Sequence, residues 1–210
     1  MLSTKQDIYE IINDRKSVRV YDSSVKIDRS EMNEILEETA KAPSSWNLQH
    51  WKFLVIDDEQ LKQTLLPIAF NQQQVVDAAA TIVVLGDLEA NKNGEAVYGE
   101  AVKHGFMTEE AKDTLMGQIN GAYQNQQAAF SEAVLNPSLA AMQFMLVAKA
   151  KGYDTCPMGG FDREKITETF NIPARYIPVM LITVGKQAKP AHETPRFPVS
   201  QITSYNTFEG

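Results

Sequence analysis

Ala78-Ala79-Ala80-Thr81-Ile82-Val83-Val84-Leu85-Gly86-Asp87 is the stretch on which the architecture turns: an apolar, β-branched run of strand length that is ended by a glycine and an aspartate. It is the longest apolar run in the chain and falls far short of a bilayer span, so it reads as a buried inner strand and not as a membrane segment. Trp51-Lys52-Phe53-Leu54-Val55-Ile56 is a second compact run and predicts a second inner strand. Residues 179–184 predict a final buried strand, and residues 153–156 a short one.

Helix signals surround these strands. Ser3 with Gln6 forms a capping-box pattern, and Ile8, Ile11 and Ile12 recur on one helical face, which predicts a first helix ending near Asn13. Asp28 with Glu31 opens a second helix that carries Met32, Ile35, Leu36 and Thr39 on one side and is closed by Pro43 after Ala42. Asn136-Pro137 pairs a cap residue with a first-turn proline. With Leu139, Met142, Leu146 and Ala150 at helical spacing, it predicts a helix from there to Gly152. Another helix is expected over 162–170. Residues 91–121 are more polar, carry Gly94, Gly99, Gly105 and Gly117, and read as an inserted helical or lid segment. Residues 186–210 hold Pro190, Pro195 and Pro198 without an amphipathic period; an extended tail is expected, either wrapped on a partner subunit or disordered.

A chain of 210 residues is long enough for one domain to bury roughly 70% of its unfolded surface. With no internal repeat and no linker, one domain over 1–210 is expected. The opening residues lack the apolar block and small-residue cleavage site of a secretory signal, so a cytoplasmic location is expected. Cys156 is the sole cysteine, which excludes an internal disulfide and a CxxC motif. Beside Pro157 it reads as a small buried hydrophobe more than a reactive thiol. His50, His104 and His192 share no ligand spacing, so no metal is expected. A net charge of -7 argues against nucleic-acid partners, and a small phosphorylated ligand would need a local basic cluster.

Such a cluster exists. Arg15-Lys16-Ser17-Val18-Arg19 places three cations and a hydroxyl in five residues, which suits a monophosphate; the plainer alternative is a basic helix end. Pro43-Ser44-Ser45-Trp46-Asn47-Leu48-Gln49 offers hydroxyls and amides that suit the alternating donor and acceptor edge of an isoalloxazine or pteridine ring, or a polar turn bonded to its own backbone. Pro157-Met158-Gly159-Gly160-Phe161 would let main-chain N–H groups approach a flat ligand, or make a tight turn. Asn71-Gln72-Gln73-Gln74 is a polar run that a solvated face would also explain.

In order and spacing these pieces, with Gly185-Lys186 and Pro195-Arg196 farther on, resemble the FMN-dependent nitroreductase family, most closely its smaller single-domain members. The resemblance implies an α+β, three-layer α/β/α fold with a mainly antiparallel central sheet, and an intertwined homodimer holding two FMN at its interface. It implies that Arg15, Ser17 and Arg196 hold the phosphate with Lys16 beside them, and that Ser44, Ser45, Asn47 and Gln49, next to Pro43, come from the other subunit. Asn71 would meet the pyrimidine side of the ring. Gly159 and Gly160, after Pro157 and Met158, would lie at N5, and Arg19 would face the N1–C2 region. Gln74 stands where some members have lysine, which leaves Arg19 to compensate charge there. The implied activity is ping-pong electron transfer from NADH or NADPH, through FMN, to a nitroaromatic, quinone or similar acceptor, with no obligatory catalytic side chain. Alternatives are an FMN enzyme acting on enones or oxidising a dedicated metabolite, a non-catalytic flavin-binding protein, and a cofactor-free domain. Tyr98, Phe106 and Tyr123 are candidates to line the acceptor pocket.

Overall fold

Four strands form one antiparallel sheet in the computed structural model, which describes residues 7–208: β1 (Trp51–Ile56), β2 (Ala80–Asp87), β3 (Asp154–Met158) and β4 (Tyr176–Gly185), in the order β1-β2-β4-β3. Around it run α1 (Ile8–Asp14), α2 (Arg29–Thr39), α3 (Glu59–Ile68), α4 (Gln74–Asp77), α5 (Gly94–Lys103), α6 (Glu109–Ala122), α7 (Gln126–Ala150) and α8 (Arg163–Thr169).

β2 is buried along its whole length because both faces are covered. Successive side chains of a strand point to opposite sides. Val83 and Leu85 accordingly join Leu65, Val75, Ile166 and Leu181 on the α3/α4/α8 side, while Ala80, Ile82 and Val84 join Met32, Ile35, Phe144 and Ala148 on the α2/α7 side. Three layers result, as expected. Gly86 and Asp87 are the last two residues of β2 and do not lie beyond it. The Asp87 carboxylate is buried there and takes a bidentate ion pair from Arg175 at 2.7 and 2.6 Å. β1, expected as an inner strand, is an edge of the sheet. Its apolar content serves the faces of the sheet, a property that pattern alone does not separate from central placement.

The largest departure from expectation is α7. Asn136-Pro137 does not start a helix; α7 begins ten residues earlier, at Gln126, capped by Asn125, whose side chain accepts from the Gln127 and Ala128 amides. Pro137 sits mid-helix. It has no N–H to give the Ala133 carbonyl, and that oxygen instead lies against Gly86, where a Cβ would come within 1.8 Å. The pairing of proline with a bare Cα explains why the helix runs through. The buried face is Ala133, Ala140, Ala141, Phe144 and Ala148, whereas Leu139 and Met142, expected on it, are exposed with Phe130 and Leu135. α7 is long and apolar enough to pass for a membrane span, but this alanine-rich face is packed on the sheet and α2 as a core helix.

Smaller differences follow local chemistry. The Ser3–Gln6 pattern lies outside the described residues; α1 is capped by Asp7, which accepts from the Tyr9 amide. α2 starts after Asp28 as expected but ends at Thr39, ahead of Pro43, and Glu31 in its first turn accepts from the Tyr153 hydroxyl. β3 extends through Pro157, which an edge strand tolerates. The tail is extended apart from a 3-10 turn at Val199–Gln201.

Candidate active site

Two groups of the sequence-selected residues gather at opposite corners of the sheet. At the first corner, Ser17 bridges Thr155 and the Val18 amide donates to the Thr155 carbonyl at 3.1 Å, which lays residues 15–19 along the open edge of β3. Arg15, Lys16, Ser17 and Arg19 then line a cleft of about 170 Å³ with His192, Thr194 and Arg196. Four cations share this small space in a chain of charge -7. Lys16 pairs with Glu193, Arg19 Nη1 donates to the Ser17 carbonyl at 3.2 Å, and Arg196 Nη1 donates to Thr194 Oγ1 at 2.9 Å.

The same corner receives the glycine and amide clusters. Gln72 Nε2 donates to the Gly160 carbonyl at 2.8 Å, which ties the 70–72 turn to the end of β3, and Asn71, at φ 58°, stands exposed on that turn. Gln74 is buried at the start of α4, where its Nε2 donates to Cys156 Sγ at 3.7 Å. Gly159 has open space where a side chain would begin, so its main chain is accessible to a ligand. Pro157 points outward from β3 and Met158 inward. Cys156 is buried, and burial pushes its thiol up from the ordinary value.

At the second corner, residues 43–49 form a strained loop before β1. Trp46, Asn47 and Gln49 all hold left-handed φ angles of 52, 53 and 51°, a conformation that costs a non-glycine residue about 1–2 kcal/mol. The loop is held by Ser44 Oγ, which accepts from the Gln49 amide at 3.0 Å, by Asn136 Oδ1, which accepts from the Ser45 amide at 2.8 Å, and by Asn93 Nδ2, which donates to the Leu48 carbonyl at 2.9 Å. Leu48 packs against Ala90 and against Tyr98, Met116 and Ile119 of the 91–121 segment, in which α5 and α6 lie. Pro43, Trp46, Asn47 and Gln49 remain exposed. The row of Cys156, Thr183, Thr81 and Ile56 lies five residues along and three strands across from Trp51, which is roughly 17 Å along the sheet and roughly 14 Å across it.

Gly185 and Lys186 serve the scaffold. Gly185 lies where a Cβ would sit 3.1 Å from both the Ala79 amide and the Tyr21 ring, and Lys186 donates to the Gly152 carbonyl while its Nζ lies 4.6 Å from the centre of the Tyr153 ring. Of the aromatic candidates, Tyr98 is buried with its hydroxyl on the Trp46 carbonyl, Tyr123 is half-buried, and Phe106 is 84% exposed. Sequence reasoning missed His192 and Thr194 in the cationic cleft, Gln72 and Cys156 as the groups that bond Gly160 and Gln74, and Asn136 as the anchor of the second loop. In the sequence Asn136 carries the signal of a helix cap, and nothing there marks it as a partner of residue 45.

Comparison with known proteins gives a consistent picture. The Nitroreductase family model matches residues 12–186. The Bacillus subtilis protein named "Putative NAD(P)H nitroreductase YodC" is 51% identical over 196 residues, 93% of this chain and 97% of its own. The CLA biosynthesis enone reductase of Lactiplantibacillus plantarum is 34% identical over 204 residues, 95% of this chain and 94% of its own. A crystal structure from Exiguobacterium sibiricum, described as a "putative nitroreductase in complex with FMN", superposes with a TM-score of 0.91 at 42% identity, covering 98% of this chain and all of that one.

Proposed function

The chain belongs to the nitroreductase family, and from that premise we propose that it is an NAD(P)H-dependent FMN oxidoreductase, a homodimer of single-domain subunits, that delivers electrons to a nitroaromatic, quinone or similar electron-poor acceptor. The observation that carries this reading is the cationic cleft. Arg15, Lys16, Arg19 and Arg196 converge on one small volume despite the acidic chain around them, with the hydroxyl residues Ser17 and Thr194 among them. Planar guanidinium forks and hydroxyls fit the terminal phosphate of FMN.

In this reading Arg15, Ser17 and Arg196 hold the phosphate, Lys16 stands beside them, and the exposed Asn71, buried Gln74 and open main chain at Gly159 and Gly160 meet the ring. Arg19 stabilises the electron-rich end of the reduced ring as a fixed cation. Bound FMN supplies the two-electron relay between nicotinamide and acceptor, so the protein's task is to bind, orient and tune it. Ser44, Ser45, Asn47 and Gln49 complete the site from the second subunit, since within one chain they stand at the far corner. The dimer is supported by the exposed apolar residues Ile8, Tyr9 and Ile12 on α1 and Phe130, Leu135, Leu139 and Met142 on α7, and by Phe197, Val199, Ile202, Tyr205 and Phe208 along the tail.

A second reading of the acceptor, an activated alkene conjugated to a carbonyl, is favoured by the enone reductase relative at 34% identity. The decisive experiment is a visible spectrum of the purified protein before and after anaerobic NADH or NADPH. A yellow protein bleached by either nicotinamide is expected, followed by reoxidation rates compared across nitro, quinone and enone acceptors. A colourless preparation that takes up no added FMN would overturn the proposal.

A further inference from the structure

Cys156 sits at the junction of the β3 edge with the cofactor-side residues, 1% exposed, with Arg19 and Ser17 beside its sulfur. Its contacts have a definite polarity. Gln74 Nε2 donates to Sγ at 3.7 Å, and the thiol donates in turn toward the Pro157 carbonyl at 3.7 Å. The main chain that carries the sulfur is held as well: Thr183 Oγ1 donates to the Cys156 carbonyl at 3.5 Å and lies 2.9 Å from the Tyr21 hydroxyl. Gln74 is itself 5% exposed, its Nε2 donates to no other group among the described residues, and its Oε1 has no protein donor there. A side-chain amide has a donor end and an acceptor end, and here the donor end is engaged inside the protein.

We propose that Cys156 is a positioning residue for the cofactor site: its sulfur holds the Gln74 amide with the NH₂ turned inward, leaving the carbonyl oxygen as the group Gln74 offers the flavin. This rests on the reading that Gln74 contacts FMN. Its consequence is redox poise. An acceptor oxygen opposes added electron density on the ring, whereas an N–H donor favours it. With the lock in place the chain holds oxidised FMN relatively well. With the lock removed, the amide can turn and present N–H, and reduced FMN gains. Burial keeps the thiol protonated at neutral pH, so the lock does not loosen by ionisation there.

The test is the midpoint potential of the bound flavin, measured against a reference dye, in wild-type protein and in Cys156→Ala, Cys156→Ser, Gln74→Met and the Cys156→Ala/Gln74→Met double variant, with melting temperatures as a control on folding. Cys156→Ala should raise the affinity ratio of reduced to oxidised FMN by roughly three- to tenfold, an upward shift of about 15–30 mV for a two-electron couple. Cys156→Ser, whose hydroxyl accepts the same N–H, should stay near wild type, and in the Gln74→Met background the cysteine change should shift nothing further. Bound FMN with an unmoved potential in Cys156→Ala, or a shift that persists when Gln74 is methionine, overturns the proposal alone. Wild-type protein that takes up no FMN overturns the cofactor assignment with it.

Discussion

His50 is fully buried, and among the described residues neither of its ring nitrogens has a hydrogen-bond partner. Its ring stacks on Tyr123 with centroids 6.4 Å apart. Burial holds its pKa below the ordinary 6.5, against a weaker upward pull from Glu132 and Asp87. The unfolded chain therefore takes up a proton before the folded one does, and His50 favours folding fully above pH 6.5 and progressively less as pH falls through its folded value. Melting temperature should drop between about pH 7 and about pH 5, and His50→Leu should flatten that part of the profile while nearly preserving stability at neutral pH. An unchanged slope in calorimetry would assign the pH dependence elsewhere. In the cationic cleft, Arg15→Ala removes charge-assisted bonds of about 1.5–3 kcal/mol, so FMN should bind roughly 10- to 100-fold more weakly by fluorescence titration. Full flavin retention with lost turnover would refute the phosphate role. Arg15, Arg19, Asn71 and Gly159 were legible in the sequence as candidates because their residue types suit the proposed chemistry. Cys156, Gln72 and Asn136 were not, because each acts through a partner 82 to 91 positions away.

Strands were legible for a related reason: β2 and β4 are continuous apolar runs, and a strand covered on both faces has no alternation to obscure it. The amphipathic α3, with Asp58 as its cap and Leu65 and Ile68 buried, carried an ordinary helix signal that the strand runs on either side overshadowed. α7 is the instructive case. Proline stops helices locally, but here the cost is relieved by Gly86, whose bare Cα lets the Ala133 carbonyl settle against β2. Gly86→Ala would put a methyl group 1.8 Å from that oxygen, backbone against backbone, with no flexible side chain to give way. We expect a loss of about 3 kcal/mol, seen as a melting temperature roughly 6–12 °C lower. A variant that melts with the wild type would mean that α7 slides freely on the sheet.

On the scale of the molecule, the exposed Leu135, Leu139 and Met142 form an apolar stretch of α7 that a lone subunit would leave in water. If the proposed dimer forms through this face, Leu139→Glu should shift sedimentation from dimer toward monomer, and FMN should be lost in parallel because Ser44, Ser45, Asn47 and Gln49 would leave with the partner. A monomeric variant that keeps its flavin would place the whole site within one chain. The sheet also separates the 15–19 edge from the 43–49 loop, at corners diagonal to each other. In the proposed dimer, where each site draws residues 15–19 from one chain and 43–49 from the other, two defective alleles should therefore complement. In a mixed pair, one chain carrying Arg15→Ala and the other Asn47→Ala, both lesions fall into one compartment and the other compartment is assembled from wild-type parts alone. Co-expressing two individually impaired genes should restore one working centre per heterodimer.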